Sequence, residues 1–170
     1  MLPDGGGPVP AIAGALTFEA GYTAAMRGRV AEAWSYWDRA ERMAGQLPDG
    51  YYHPVTSFSR AITGAHAVTV AVELHAGGES VRQAAQAGAT AIPSRPRRAR
   101  HRIEQARAYQ LDAQPDVALT ALEQAHAAAP ETVRWNGHAK RIVLEECESP
   151  QPQRRRRASE LAVELGLLAV

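Results

Sequence analysis

The chain has 170 residues, enough for one domain with a buried core, since a domain of about this size buries roughly 70% of its unfolded surface. Its 19 lysines and arginines nearly balance its 18 aspartates and glutamates, so no overall charge favours binding to nucleic acid or membranes. The single cysteine, Cys147, excludes an intramolecular disulfide and a thiol-based zinc site. No signal peptide and no run of about 18 apolar residues occurs, so we expect a soluble, cytoplasmic protein without a membrane partner.

In chain order, the first segment is rich in glycine and proline, and we predict that residues 1–10 form a disordered lead-in. From residue 11 onward alanine, leucine, arginine, glutamate and glutamine dominate, and no stretch alternates like a strand. Glycine and proline divide this part into segments of roughly 12 to 20 residues. We therefore predict an all-α fold of about seven or eight helices, with a repeat domain at 11–147 and a linker and closing helix at 148–170.

The spacing of small residues predicts repeated helical hairpins. A tetratricopeptide (TPR) unit of about 34 residues has two antiparallel helices with small residues where they cross. Residues 14–45 and 99–130 fit this unit well, and residues 61–93 fit it more loosely. Stacked units would form a TPR-like α-solenoid with a concave groove. The small residues at the predicted crossings are Gly21, Ala33 and Ala40, then Ala84 and Ala87, then Ala106, Ala118 and Ala125.

Four short stretches carry a resemblance to a known family: AVTVAVEL at 67–74, ARAY at 106–109, residues 118–125, and APETVR at 129–134. They resemble the C-terminal repeat region of actinobacterial helix-turn-helix transcriptional regulators. In that family an N-terminal domain reads DNA, and the repeats are thought to bind a signal and mediate dimer contacts. The residues ahead of the first predicted repeat are too few for a recognition helix, so we expect no direct DNA binding.

Arginines spaced one repeat apart form the first candidate binding site. Arg100 and Arg134 are about 34 residues apart, as are Arg107 and Arg141, and residues at this spacing stand side by side in a TPR groove. Guanidinium groups bind carboxylate and phosphate through paired donors, which favours a small anionic ligand or a peptide carboxyl group. The alternative is that these arginines pair with glutamates on the helix surfaces or face water.

Aromatic residues in the first part of the chain form the second candidate. Phe18 and Tyr22 lie on the predicted groove side of the first helix, and Tyr51 and Tyr52 lie in a loop that follows the second. They could line a ligand pocket. The alternative is that they pack between repeats.

Evidence for catalysis or for a bound cofactor is sparse. His66 and His75 fall on opposite faces of one predicted helix, and no histidine pair has the spacing of a zinc hydrolase, so we predict no catalytic residue, cofactor or metal. If the chain is an enzyme, His53, His66 or His75 could act as acid or base. The basic run at 154–157 could contact phosphates, although such a run beside proline is more often a solvated linker.

These patterns favour a ligand- or peptide-sensing TPR-type module related to transcriptional regulators. We expect its partner to be a peptide, a protein or a small anionic ligand in the concave groove. Two alternatives remain open: a small biosynthetic enzyme that uses the helical scaffold to enclose a substrate, and a structural adaptor that forms homodimers.

Overall fold

A computed structural model describes residues 8–169 of the chain. This part is all-helical and contains no strand, which confirms the all-α part of the prediction. None of its helices is long and apolar enough to cross a membrane. The helices are α1 (Pro8–Met26), α2 (Val30–Gly45), α3 (Arg60–Glu73), α4 (Gly77–Gln86), α5 (Arg95–Leu111), α6 (Pro115–Ala128), α7 (Pro130–Arg134), α8 (Gly137–Cys147) and α9 (Pro152–Glu164), with one 3₁₀ turn at Ala89–Ala91.

Consecutive helices pack in pairs: α1 with α2, α3 with α4, α5 with α6, and α8 with α9. The first three pairs are joined by the same tight turn, in which one residue has a left-handed backbone. That residue is Gly28 (φ 68°), His75 (φ 54°) or Ala113 (φ 55°). In each turn this residue and the next donate their N–H groups to the last turn of the preceding helix, as in a Schellman motif.

The small residues predicted at the helix crossings of the first and third units are buried, whereas Ala87 follows the end of α4 and is partly buried. Ala33 and Ala40 on α2 are fully buried, and so are Ala106 on α5 and its α6 partners Ala118 and Ala125. Without a long side chain at these points the helix backbones approach closely, and larger residues fill the space beside them.

The core has two large apolar clusters. One joins α5 to α9 around Ile103, Leu119 and Ile142, all inaccessible to solvent. The other joins the first helices to the loop before α3, around Phe18 and Phe58. The second cluster lies directly behind the cavity described below.

Two features differ from the prediction: the start of the first helix and the number of helices. Residues 8–10 belong to α1, while the rest of the predicted lead-in, residues 1–7, lies outside the described residues. Among the described residues there are nine α-helices rather than seven or eight, because α7 ends at Arg134 and Asn136 starts a separate helix. The Asn136 side chain accepts the Ala139 N–H at 3.0 Å, which caps α8.

The last helix also begins earlier than predicted. It starts at Pro152, so the basic run at 154–157, which was expected in the linker, is helical. Arg154 pairs with Asp116 at 2.6 Å and Arg157 pairs with Glu123 at 2.8 Å, and both carboxylates lie on α6. These contacts hold α9 against α6 and explain why the run is ordered.

Candidate ligand-binding site

A cavity of about 230 Å³ lies between α1, α3 and α5 and the loop that precedes α3. Three helices from three different pairs therefore form its walls. Its apolar and hydroxyl side chains come from α3 and the loop: Ile62, Ala65, Thr69 and Thr56. Its charged, aromatic and imidazole groups are Glu19 and Tyr22 on α1, His66 on α3, and Arg97, Arg100, His101 and Glu104 on α5.

One wall of the cavity is a stack of rings. The His66 imidazole lies on the Phe18 ring with centroids 3.9 Å apart, and Phe18 contacts Phe58 with centroids 5.2 Å apart. Burial among these rings, together with the nearby charges of Arg97 and His101, lowers the pKa of His66 to about 4. His66 is therefore uncharged near neutral pH and acts as part of an apolar wall.

His101 contributes an unused hydrogen-bond acceptor. It is 3% exposed, and its Nε2 lies 3.0 Å from the Ala87 carbonyl oxygen. Because a carbonyl only accepts, Nε2 must carry the proton, and in neutral imidazole Nδ1 is then an acceptor. Burial lowers the pKa of His101, partly offset by that hydrogen bond, so the neutral form is favoured. Nδ1 is buried and has no partner among the described residues.

Buried ion pairs between α5 and α3 lie beside the cavity. The Glu104 carboxylate, 3% exposed at its side chain, pairs with Arg107 at 2.7 Å and with Arg100 at 3.2 Å. Arg107 also pairs with Glu73 on α3 at 2.8 Å. Burial raises the pKa of the Tyr22 hydroxyl, and the carboxylates of Glu73 and Glu104 raise it further, so Tyr22 stays protonated as a donor.

Two charged groups at the cavity mouth are not neutralised within residues 8–169. The Arg97 guanidinium and the Glu19 carboxylate both line the cavity, yet neither makes a side-chain hydrogen bond or ion pair there. Arg97 is placed by the start of α5, where the Ser94 side chain accepts the Arg97 N–H at 3.4 Å. Arg100, one turn further, is half-exposed and shares Glu104 with Arg107. The mouth thus has one free cation and one free anion on opposite helices.

The structure brings some of the predicted site residues together. Arg100 and Tyr22 line the cavity. Phe18 lies behind it, with its ring against His66 rather than exposed in a groove. Arg107 is held in the buried ion pairs beside it.

Other predicted residues lie away from the cavity. Arg134 ends α7 and donates to the Glu164 carbonyl at 3.3 Å, and Arg141 is exposed beside Glu145 at 3.6 Å. Tyr51 packs on the apolar cluster around Phe58, and Tyr52 is half-buried outside the cavity lining.

Of the three histidines considered for acid–base chemistry, only His66 lines the cavity. His53 is buried in the loop, where its Nδ1 accepts the Thr56 N–H at 3.1 Å. His75 occupies the left-handed turn position after α3. No cluster of three potential metal ligands occurs among the described residues.

Sequence reasoning missed Arg97, His101 and Glu19. A signal was present in α5, because positions 97, 100 or 101, and 104 follow the spacing of one helix face. The role of Glu19 depends on how α1 faces α5 across α3, which no local pattern encodes.

No protein-family model matches this sequence, and no curated protein or solved structure is significantly similar to it.

Proposed function

We propose that this chain is a ligand-sensing TPR-type module that binds a small anionic ligand in the cavity between α1, α3 and α5. The observation that carries this proposal is the guanidinium of Arg97 at the cavity mouth, without a partner among the described residues and one turn from the half-exposed Arg100. Two guanidinium groups at this spacing suit a carboxylate or phosphate oxygen pair. A cavity of about 230 Å³ suits a small molecule better than a folded partner.

Contacts one repeat apart support the TPR-type part of the proposal. Arg157 pairs with Glu123, and the two are 34 residues apart. Arg107 pairs with Glu73 at the same separation, since 107 minus 73 is 34. Side chains one repeat apart are neighbours in a TPR stack, and the repeated turns of the first three helix pairs agree with such units. A relationship to transcriptional regulators remains part of the proposal on the sequence resemblance alone.

An enzyme is the weaker alternative for the same cavity. General acid–base catalysis works best with a group whose pKa lies near the working pH. The histidine that lines the cavity on α3, His66, has a pKa of about 4 and contacts Phe18 along its ring face. That environment suits an apolar wall better than a proton-transfer group.

A homodimeric adaptor is the second candidate, and an exposed apolar stripe on α1 favours it. Val9, Ile12 and Leu16 are 75%, 44% and 66% exposed and share one helix face at i, i+3 and i+7. The Leu16→Glu variant would weaken a dimer built on this stripe. Light scattering of wild type and variant tests this candidate independently of the cavity.

Ligand binding is tested by thermal unfolding against a panel of small carboxylates, phosphates and short peptides. A ligand at 100 times its Kd stabilises the folded state by about 2.7 kcal/mol. We expect at least one compound to stabilise wild type, and the Arg97→Gln and Arg100→Gln variants to lose that effect. The Arg156→Gln variant on the distant, exposed face of α9 is the matched control and should keep it. A panel without any stabilising compound would refute the proposal.

A further inference from the structure

We infer that the ligand of this cavity is a zwitterion, a free amino acid with an apolar side chain. This inference rests on the proposed function, because the amino acid would bind Arg97 through its carboxylate. It is carried by the two oppositely charged groups of the mouth, by an unpartnered buried acceptor, and by an apolar wall.

The charges at the mouth call for both signs on the ligand. An anion bound at Arg97 would also lie in the cavity that Glu19 lines, and Glu19 has no cation beside it among the described residues. The other lining carboxylate, Glu104, is already paired with two arginines. A ligand with a carboxylate and an ammonium group can pair with Arg97 and Glu19 together, whereas a simple anion leaves Glu19 unpaired and adds a like charge near it.

The buried imidazole calls for a hydrogen-bond donor. The Nδ1 of His101 is an acceptor without a partner among residues 8–169, and a buried acceptor left unpaired is unfavourable. A carboxylate has only acceptors, so it cannot donate a hydrogen bond to this nitrogen. An ammonium group presents three N–H donors, so it can donate to Glu19 and still have donors left for His101.

The remaining lining sets the side chain and the size of the ligand. Ile62 and Ala65 offer apolar surface on α3, and His66 is neutral and stacked on Phe18. The hydroxyl of Thr69 is already used, because it donates to the Ala65 carbonyl at 3.2 Å. A cavity of about 230 Å³ is below the roughly 300–1,000 Å³ of sites for drug-sized ligands. An aliphatic or aromatic amino acid matches this combination.

The test compares L-leucine and L-phenylalanine with their one-charge analogues. For leucine these are 4-methylpentanoate, which lacks the amine, and isopentylamine, which lacks the carboxylate. Calorimetric titration of the full chain should show binding of at least one of the two amino acids. Its one-charge analogues should bind with an affinity at least about tenfold lower, which is the loss expected for one charge-assisted hydrogen bond. Glu19→Gln should remove the preference for the amino acid over the amine-free acid, and Arg97→Gln should remove the preference over the carboxylate-free amine.

The possible failures separate the two proposals. If the amine-free acid binds as tightly as the amino acid, the zwitterion inference is overturned while anion binding stands. The same holds if neither amino acid binds but a phosphate or carboxylate of the panel does. If no compound binds the wild-type chain, both proposals fail. Glu19 is exposed on α1, so its variant is expected to fold, and its melting curve without ligand checks this.

Discussion

Replacing Gly14 by alanine should destabilise the fold and disturb the cavity wall. Gly14 lies inside α1 against Phe58, which is 1% exposed. A Cβ at position 14 would overlap Cζ of the Phe58 ring and lie 2.5 Å from its Cε1 and Cε2 atoms, whereas real Cβ contacts stay beyond 3.0 Å. The ring would have to shift, and it leans on Phe18, which in turn stacks on His66.

The magnitude follows from two opposing effects. Overpacking a well-packed core costs about 1–3 kcal/mol, while replacing glycine by alanine inside a helix contributes roughly 0.5–1 kcal/mol. We expect a net loss of about 1–2 kcal/mol, or a Tm lower by roughly 2–8 °C for a chain of this length. Circular dichroism with urea and heat as denaturants measures both quantities. Gly78→Ala in α4 is the matched control, because a Cβ there meets nothing within 4 Å and should leave stability unchanged or slightly higher.

A double variant isolates the contact. Phe58→Leu removes the ring that the alanine Cβ would contact. The loss of unfolding free energy from Gly14→Ala should therefore be smaller in the leucine background, with a coupling free energy of about 1 kcal/mol. Gly14→Ala could prove as stable as Gly78→Ala, or it could lower the unfolding free energy equally in the wild-type and Phe58→Leu backgrounds. Either result would show that the close contact between α1 and Phe58 is not the reason for glycine at position 14.

Three further perturbations test other parts of the structure. Ala113→Gly relieves a left-handed alanine and should stabilise by a few tenths to about 1 kcal/mol in urea denaturation, whereas the same change at the exposed α6 position Ala127 should destabilise by a similar amount. On lowering the pH from about 7.5 to about 5, wild type should lose about 2 kcal/mol more stability than His66→Gln, because the folded pKa of His66 is about 4 against 6.5 unfolded and protons therefore favour the unfolded chain. A flat difference between these two pH profiles would contradict a buried neutral imidazole. Arg157→Ala should lower stability by about 1 kcal/mol, because this guanidinium makes two hydrogen bonds to one α6 carboxylate, while Arg156→Ala on the exposed side of α9 should leave stability nearly unchanged. Equal thermal melts of the two arginine variants would show that α9 is held by its apolar face alone.

The helical fold and its crossings were predictable because composition and small-residue spacing act locally. Ala106, Ala118 and Ala125 are buried where the spacing indicated. The turns were harder to place. Glycine adopts a left-handed backbone most easily, as Gly28 does, yet His75 and Ala113 adopt the same conformation without being glycine. In these two turns the hydrogen bonds to the preceding helix hold a backbone that the residue type alone would disfavour.

The arginine site could be predicted only in part because the repeat spacing did not anticipate the short helix α7. Glu73 and Arg107, which are 34 residues apart, do pair in the structure. The same spacing leads from Arg100 to Arg134, but the short helix α7 takes up those residues and α8 starts at Gly137. Burial lowers the pKa of His138 on α8, and the charge of Arg107 lowers it as well, which indicates that His138 lies near the buried ion pairs. The short helix α7 therefore displaces Arg134 from the position that the repeat spacing predicted, and nothing in the spacing of arginines signals it.

The position of the cavity between three helix pairs suggests how binding could be transmitted. Helix α3 packs against both α1 and α5, so it sets the distance between the helices that carry Glu19 and Arg97. A zwitterion held by both side chains would bridge the first and third pairs directly and favour the one spacing that lets both ion pairs form. By linkage, anything that fixes that spacing from outside, such as a partner bound to α1, would change ligand affinity by the same factor as the ligand changes partner affinity. The exposed stripe of Val9, Ile12 and Leu16 is on the same helix as Glu19, so contacts on that stripe and ligand in the cavity act on one element.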